Sequence, residues 1–133
     1  MTYLLDTNVI SEMWTPMPDA KVAAWFWGAN WLVPVPVLAE LQEGAEAAPS
    51  VTRRMDLNRQ LDRLVSQFGA AFVNLDSEGA RTWGKLKHSP EVKRQPQALW
   101  DSLIDAMAVR YGYTVATRNG KDFRHAPTFS PWD

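Results

Sequence analysis

Short apolar runs alternate with longer helical patterns along the whole chain. Four of these runs are predicted strands, over residues 3–5, 31–35, 71–75 and 113–117, and a short last strand is expected near Thr128 and Phe129. When strands and helices alternate, each helix is a crossover that returns the chain to start a parallel neighbour. The pattern therefore predicts an α/β fold with a central parallel β-sheet flanked by α-helices.

The helical patterns fall between these strands. They are predicted over residues 8–13, 19–27, 37–47, 51–68, 77–88 and 99–111. Gly28, Gly69 and Gly112 stand where three of them should end, because glycine readily adopts the backbone conformation that terminates a helix. Thr7 or Asn8 could cap the first helix. Residues 89–97, which include two prolines, are predicted to be a loop.

Composition narrows the class of protein. The chain has 133 residues, of which 46% are hydrophobic, so we expect a single globular domain over residues 1–133. It has no cysteine, which excludes disulfides and thiolate metal sites. We expect no transmembrane helix and no signal peptide, and therefore a cytoplasmic location. A net charge of −1 argues against a strongly basic nucleic-acid-binding protein.

Acidic residues fall where the strands meet the following helices. Asp6 ends the first predicted strand, Glu40 lies one turn into the helix after the second, and Asp122 follows the fourth. Asp101 opens the helix that leads into the fourth strand. In a parallel sheet these places share one edge, so the four carboxylates can converge.

Clustered carboxylates raise one another's pKa unless a cation neutralises them. Oxygen ligands without His or Cys favour Mg²⁺ or Mn²⁺, and the chemistry that fits is metal-assisted attack of water on a phosphodiester. Taken singly, each acid could instead be an ordinary turn, cap or surface residue.

Four motifs resemble those of a known family when they are read in order. They are LLDTNVISE at residues 4–12, AELQEG at 39–44, DSLIDA at 101–106, and TRN at 117–119 followed by Asp122 and Phe123. Together they resemble the PIN domain, and most closely the VapC/FitB-type toxins of type II toxin–antitoxin pairs. The likeness spans essentially the whole chain.

The resemblance implies a fold, an activity and partners. Asp6, Glu40, Asp101 and Asp122 would form a catalytic Mg²⁺ or Mn²⁺ site for RNA cleavage, beside a protruding helical pair that includes residues 51–68. A cognate antitoxin would inhibit the enzyme, in a complex containing a toxin homodimer that contacts DNA only through the antitoxin, with no membrane. The alternative is a PIN-like module that binds RNA or protein without cutting. We discount a phosphoacceptor receiver domain, because its paired acids and its lysine cannot be placed.

Asp105 departs from the family pattern, which usually has a small apolar residue there. Asp101 and Asp105 are four residues apart and so share one helical face. Asp105 could extend the acidic site, pair with Arg118, or pair with another basic residue. We favour an ion pair, because a further unpaired carboxylate would be costly.

Other polar residues are candidates for supporting roles. The site could be supported by Thr7, Asn8, Asp105, Thr117, Arg118 and Asn119. RNA could be bound by Arg53, Arg54 and Lys121, within a wider basic rim that adds Arg59, Arg63, Lys85, Lys87, Lys93 and Arg94. Partner contact could involve Trp14, Trp25, Trp27 and Trp31, although core packing is favoured for them. His88 and His125 are not expected to be catalytic bases.

Overall fold

Five parallel strands form the central sheet of a computed structural model that describes residues 1–133. The strands are β1 (Tyr3–Leu5), β2 (Trp31–Pro34), β3 (Phe72–Val73), β4 (Thr114–Ala116) and β5 (Thr128–Phe129). They lie in the order β3-β2-β1-β4-β5, and every pair is parallel. The predicted fold class is confirmed. From β1 the chain adds β2 and β3 on one side of that strand, and it then crosses to add β4 and β5 on the other side.

Seven α-helices flank this sheet. They are α1 (Thr7–Met13), α2 (Ala20–Gly28), α3 (Val35–Glu46), α4 (Val51–Phe68), α5 (Ser77–Lys87), α6 (Pro90–Arg94) and α7 (Leu99–Tyr111). Two short 3₁₀ turns are added at Gly69–Ala71 and Gly120–Asp122. Helix α4 packs against α3, and together they are the helical pair that the family resemblance implies. None of the helices combines the length and apolar character that crossing a bilayer requires.

Two local predictions were wrong. Neither Thr7 nor Asn8 caps α1; the cap is Asp6, whose side chain accepts a hydrogen bond from the Thr7 N–H. The predicted loop over residues 89–97 contains α6, because Ser89 caps that helix and Pro90 lies in its first turn, where proline is favourable.

The core lies between the sheet and the helices that cover it. The β1 residues Leu4 and Leu5 are fully buried, together with Val115 of β4 and Ile104 and Met107 of α7. Buried aliphatic side chains on both neighbours of β1 hold that strand in place. The end of β1 is therefore a rigid mount for Asp6.

The amphipathic face of α4 is narrower than its sequence predicts. Leu61 and Leu64 are buried, whereas Met55 and Val65 are exposed. The helix packs against α3, and Phe68 at its end packs against the core, so only its inner stripe is covered.

Backbone conformation at the end of α7 yields a stability prediction. Gly112 has φ 73° and ψ 33°, the left-handed conformation that a side chain disfavours. Gly84, inside α5, has no such conformation, and a methyl group at either glycine would contact nothing within 4 Å. We expect Gly112→Ala to lower the free energy of unfolding by about 1 kcal/mol and Gly84→Ala to raise it by up to about 1 kcal/mol. Urea denaturation measures both, and changes of the same sign would contradict this account.

Candidate active site

Asp6 lies at the carboxyl edge of the sheet, where β1 and β4 are neighbours. Its N–H donates to the Ala116 carbonyl over 3.0 Å, which extends the hydrogen bonding between β1 and β4 by one residue beyond the end of β1. The residue is only 5% exposed, and its carboxylate accepts from the Thr7 N–H at 2.8 Å and the Thr117 hydroxyl at 2.8 Å. Burial raises the pKa of Asp6, and the hydrogen bond from Thr117 opposes that rise.

Predicted supporting residues gather around Thr117. The Asn8 amide donates to the Thr117 hydroxyl over 3.3 Å and lies 3.4 Å from Asp6 Oδ2, and the Asn119 N–H donates to the Thr117 hydroxyl over 3.0 Å. These bonds join the start of α1 to the loop after β4. Arg118 contacts this group only through its backbone N–H, which donates to Asn8 Oδ1. Its guanidinium lies over the Trp132 ring instead.

Glu40 projects toward the same edge from α3. Its Oε1 atom is buried and has no hydrogen-bond partner. Burial, and then the negative charges of Asp6 and Asp101, raise the pKa of Glu40 to about 7. A buried oxygen without a donor is costly, so this atom is suited to a cation that would satisfy it.

Asp101 and Asp122 complete the acidic group. Asp101 lies in the first turn of α7, where burial and then the charges of Asp6 and Asp122 raise its pKa to about 6. Asp122 ends the 3₁₀ turn that follows β4, and its charge also acts on Asp6. The charges of Asp6 and Asp101 thus act on Glu40, and that of Asp122 acts on Asp6 and Asp101, so the four acids that the sequence singles out lie near one another.

The arrangement fits a hydrated divalent ion. No three or more Asp, Glu or His side chains close into a cluster that could ligate a metal directly. Mg²⁺ usually keeps several waters and takes only one or two carboxylates, so it does not need such a cluster. The unpartnered Oε1 atom of Glu40 and the raised pKa values of three acids match a site that lacks positive charge.

Asp105 pairs with a histidine rather than with Arg118. Its carboxylate is 1% exposed, and its Oδ2 atom lies 3.1 Å from His125 Nδ1. An ion pair with Arg118 is therefore wrong, and the basic partner is His125. Sequence reasoning missed this role of His125, since the two residues are 20 positions apart and share no motif.

Cationic side chains line two clefts, one that includes Glu40 and one that includes the residues before and after Asp122. Arg53 and Glu40 line a cleft of about 450 Å³ between α1, α3 and α4. Lys121 lines a second cleft of about 570 Å³, together with Arg94 and Arg124. Arg124 also acts electrostatically on Asp101, and it is a candidate that sequence reasoning missed because no motif contains it.

Several members of the predicted basic rim are engaged within the protein. Arg54 donates to the Ala48 carbonyl over 2.7 Å at the end of α3. Arg53 and Arg59 both lie within ion-pair distance of Asp56, at 3.3 and 3.7 Å, and Lys87 lies over the Trp83 ring. Arg53 therefore both pairs with Asp56 and lines the cleft that contains Glu40.

Known proteins are similar to this chain in sequence and in fold. The sequence profile of the PIN domain matches residues 3–128. The chain is 30% identical to "VapC ribonuclease Y4jK" of Sinorhizobium fredii, over 98% of this chain and 97% of that protein. It is 28% identical to "Toxin FitB" of Neisseria gonorrhoeae, over 97% of each. The crystal structure of FitAcB from Neisseria gonorrhoeae matches it with a TM-score of 0.81 and 27% identity, over 98% of each chain.

The raised pKa of Glu40 predicts how stability depends on pH without metal. Its folded pKa of about 7 lies above the ordinary value of 4.5, so the native state binds the proton more tightly than the unfolded state. Stability from this group is thus present below pH 4.5 and is lost as the pH rises to about 7. In EDTA at pH 8, we expect Glu40→Gln to be more stable than the unchanged protein by about 1–2 kcal/mol, after discounting for solvent screening.

Denaturant titrations at pH 5 and pH 8 measure this difference. The matched control is Asp62→Asn, because Asp62 is an exposed carboxylate on α4 and is not among the charges that raise the pKa of Glu40. A Glu40→Gln protein that lost as much stability as the control between the two pH values would contradict the burial of charge at Glu40.

Proposed function

The chain belongs to the PIN-domain family, in its VapC/FitB-type group, and from this premise we propose that it is a Mg²⁺- or Mn²⁺-dependent endoribonuclease. We also propose that it acts as the toxin of a toxin–antitoxin pair. The observation that supports the activity best is the convergence of Asp6, Glu40, Asp101 and Asp122 around an unpartnered buried oxygen of Glu40. Support also comes from relatives named as a VapC ribonuclease and as a toxin.

Each acid has a distinct part in the proposed site. Asp6 is held in one orientation by hydrogen bonds from Thr7 and Thr117, which also oppose the rise in its pKa that burial causes. Glu40 and Asp101, whose pKa values are about 7 and about 6, can each hold a proton near neutral pH and release it when positive charge arrives. When bound, Mg²⁺ or Mn²⁺ would supply a Lewis acid for attack of water on an RNA phosphodiester.

The two clefts suggest how an RNA strand reaches the acids. Arg53 lines the same cleft as Glu40, and Lys121 and Arg94 line the other cleft. Phosphates on either side of the scissile bond would meet these cations, because they balance the backbone charge that the acids repel. We leave Arg54 and Arg124 out of this contact, since the Arg54 guanidinium is bound to the Ala48 carbonyl and the Arg124 guanidinium to the Gln95 and Lys121 carbonyls.

An apolar groove is the proposed docking site for the antitoxin. The groove, of about 300 Å³, lies between α1, α2 and α4, and nine of its twelve lining residues are hydrophobic. Trp27 forms part of its wall and is 70% exposed, packed edge-on against Phe26 at 5.0 Å. Trp14 lines both this groove and the cleft that contains Glu40, so a segment bound here lies beside the proposed active site.

Other tryptophans near the groove have packing roles. Trp31 lines the groove, but its indole N–H donates to the Phe26 carbonyl over 2.7 Å. Trp25 packs against Tyr3 and Phe129 instead. Of the four tryptophans singled out in the sequence, Trp27 is therefore the one most available to a partner. We further propose that two such chains pair within the toxin–antitoxin complex.

Cleavage of a mixed RNA pool tests the proposed activity. We expect cutting with Mg²⁺ or Mn²⁺ and none with EDTA. Asp6→Asn should cut at least about 100-fold more slowly, because it removes a charge on which cation binding depends. Asp62→Asn is the matched control, since Asp62 is an exposed acid on α4 without a hydrogen-bond partner. Folded, antitoxin-free protein that cuts no RNA under any condition would instead favour a non-catalytic binding module.

Substitution of Trp27 tests the proposed antitoxin groove. We expect Trp27→Ala to weaken antitoxin binding by about 30-fold or more, as truncation of a central aromatic anchor does, with RNA cleavage unchanged. Met55→Ala is the control, because Met55 is an exposed apolar residue of α4 outside the groove. Isothermal titration with the purified antitoxin gives both affinities, and equal losses would place the antitoxin elsewhere.

A further inference from the structure

Asp105 is a buried carboxylate in contact with four nitrogen atoms. Its Oδ1 atom accepts from the Ala126 N–H at 2.9 Å and the His125 N–H at 3.3 Å. Its Oδ2 atom lies 3.1 Å from His125 Nδ1 and accepts from the Gln97 amide at 3.3 Å. Two oxygens can accept four such bonds, so this carboxylate is fully engaged and has no free oxygen for a metal. Asp105 is thus occupied in holding another part of the chain.

Gln97 extends this network to the backbone of an acid in the candidate site. The same Nε2 atom that donates to Asp105 also donates to the Asp122 carbonyl oxygen over 3.0 Å. An amide nitrogen has two hydrogens and can make both bonds. One side chain therefore connects α7 to the residue that ends the 3₁₀ turn at Gly120–Asp122.

The loop after β4 is tied down at both of its ends. At its start, the Asn119 N–H donates to the Thr117 hydroxyl, which itself donates to Asp6. At its end, Asp105 binds His125 and Ala126, and the other ring nitrogen of His125 lies 3.4 Å from a Glu91 oxygen of α6. Asp122 lies between these two attachments, and its own N–H donates only to the Asn119 carbonyl within the loop.

We propose that Asp105 is a positioning residue, which sets the place of Asp122 in the acidic site through Gln97 and the end of the loop. The Asp105 carboxylate remains outside the metal site. The proposal rests on the proposed function only in treating Asp122 as one of the metal-holding acids.

Hydrogen exchange and metal affinity together test this role. The main variant is Gln97→Ala, which removes only the bridge, and its matched control is Gln95→Ala, an exposed residue two positions away with no side-chain hydrogen bond. Asp105→Asn is a second variant, since its amide group cannot accept at both oxygen positions. In metal-free protein, we expect amides of residues 120–126 to exchange about 5- to 10-fold faster in both variants, as loss of a buried hydrogen bond implies, and unchanged in the control.

Mn²⁺ affinity separates positioning from a general loss of structure. We follow the free ion by electron paramagnetic resonance, which remains measurable for weak sites. Gln97→Ala should weaken Mn²⁺ binding about 5- to 10-fold, but should cause no further loss when Asp122 is already Asn. The proposal is overturned if Gln97→Ala weakens Mn²⁺ binding by the same factor when Asp122 is already Asn. It is also overturned if the amides of residues 120–126 exchange no faster in Gln97→Ala than in Gln95→Ala.

The proposed function and this inference fail in different ways. If Asp122→Asn bound Mn²⁺ as tightly as the unchanged protein, Asp122 would not be one of the metal-holding acids. The proposal that Asp105 positions such an acid would then be overturned as well. Exchange of residues 120–126 would still report whether Asp105 and Gln97 hold the loop. If Asp122→Asn weakens binding while Gln97→Ala does not, the metal site stands and the inference alone is overturned.

Discussion

The hydrogen bond that Thr117 donates to Asp6, over 2.8 Å, joins the ends of two neighbouring strands beneath a group of acids. It matters because Asp6 is 5% exposed and its charge is opposed by burial. Hydrogen bonds to a carboxylate stabilise its ionised form and so offset part of that cost. The same bond connects β1 to the loop after β4, which carries Asp122. One polar contact thus favours the charged form of one acid and fixes the start of the loop that carries another.

The topology of the sheet explains why the acids gather. The strand order reverses direction between β1 and β4, and a crevice opens beyond the carboxyl ends of strands at such a point. Asp6 follows β1, Glu40 lies in the helix after β2, and Asp122 follows β4. Asp101 lies in the first turn of α7. Burial and mutual repulsion raise the pKa values of Glu40 and Asp101. The protein without metal therefore carries an electrostatic cost that bound positive charge would relieve.

Sequence patterns predicted much of this because the signals were local. The strand and helix positions followed from apolar periodicity, and the end of α7 at Gly112 followed from the conformational freedom of glycine. Convergence of the acids followed from the rule that parallel strands share a carboxyl edge. Helix α6 was missed because two prolines suggested a loop, although Pro90 falls where a helix tolerates it.

Long-range contacts at the site could not be read from the sequence. The pairing of Asp105 with His125 joins residues 20 positions apart, and Gln97 reaches Asp122 across 25. Neither pair has a spacing that marks it. The unpartnered oxygen of Glu40 is likewise a property of packing, since it depends on which neighbours fail to supply a donor. Supporting contacts of this kind depend on how α7 and the last loop meet, which only the three-dimensional structure shows.

The central claim is that these acids together hold a divalent cation, and anomalous diffraction from crystals containing Mn²⁺ tests it most directly. We expect an anomalous peak at the carboxyl edge of the sheet, among Asp6, Glu40, Asp101 and Asp122, that is lost in Asp6→Asn crystals. Absence of a peak there at millimolar Mn²⁺ in crystals of the unchanged protein near neutral pH, or a peak only elsewhere on the surface, would contradict it.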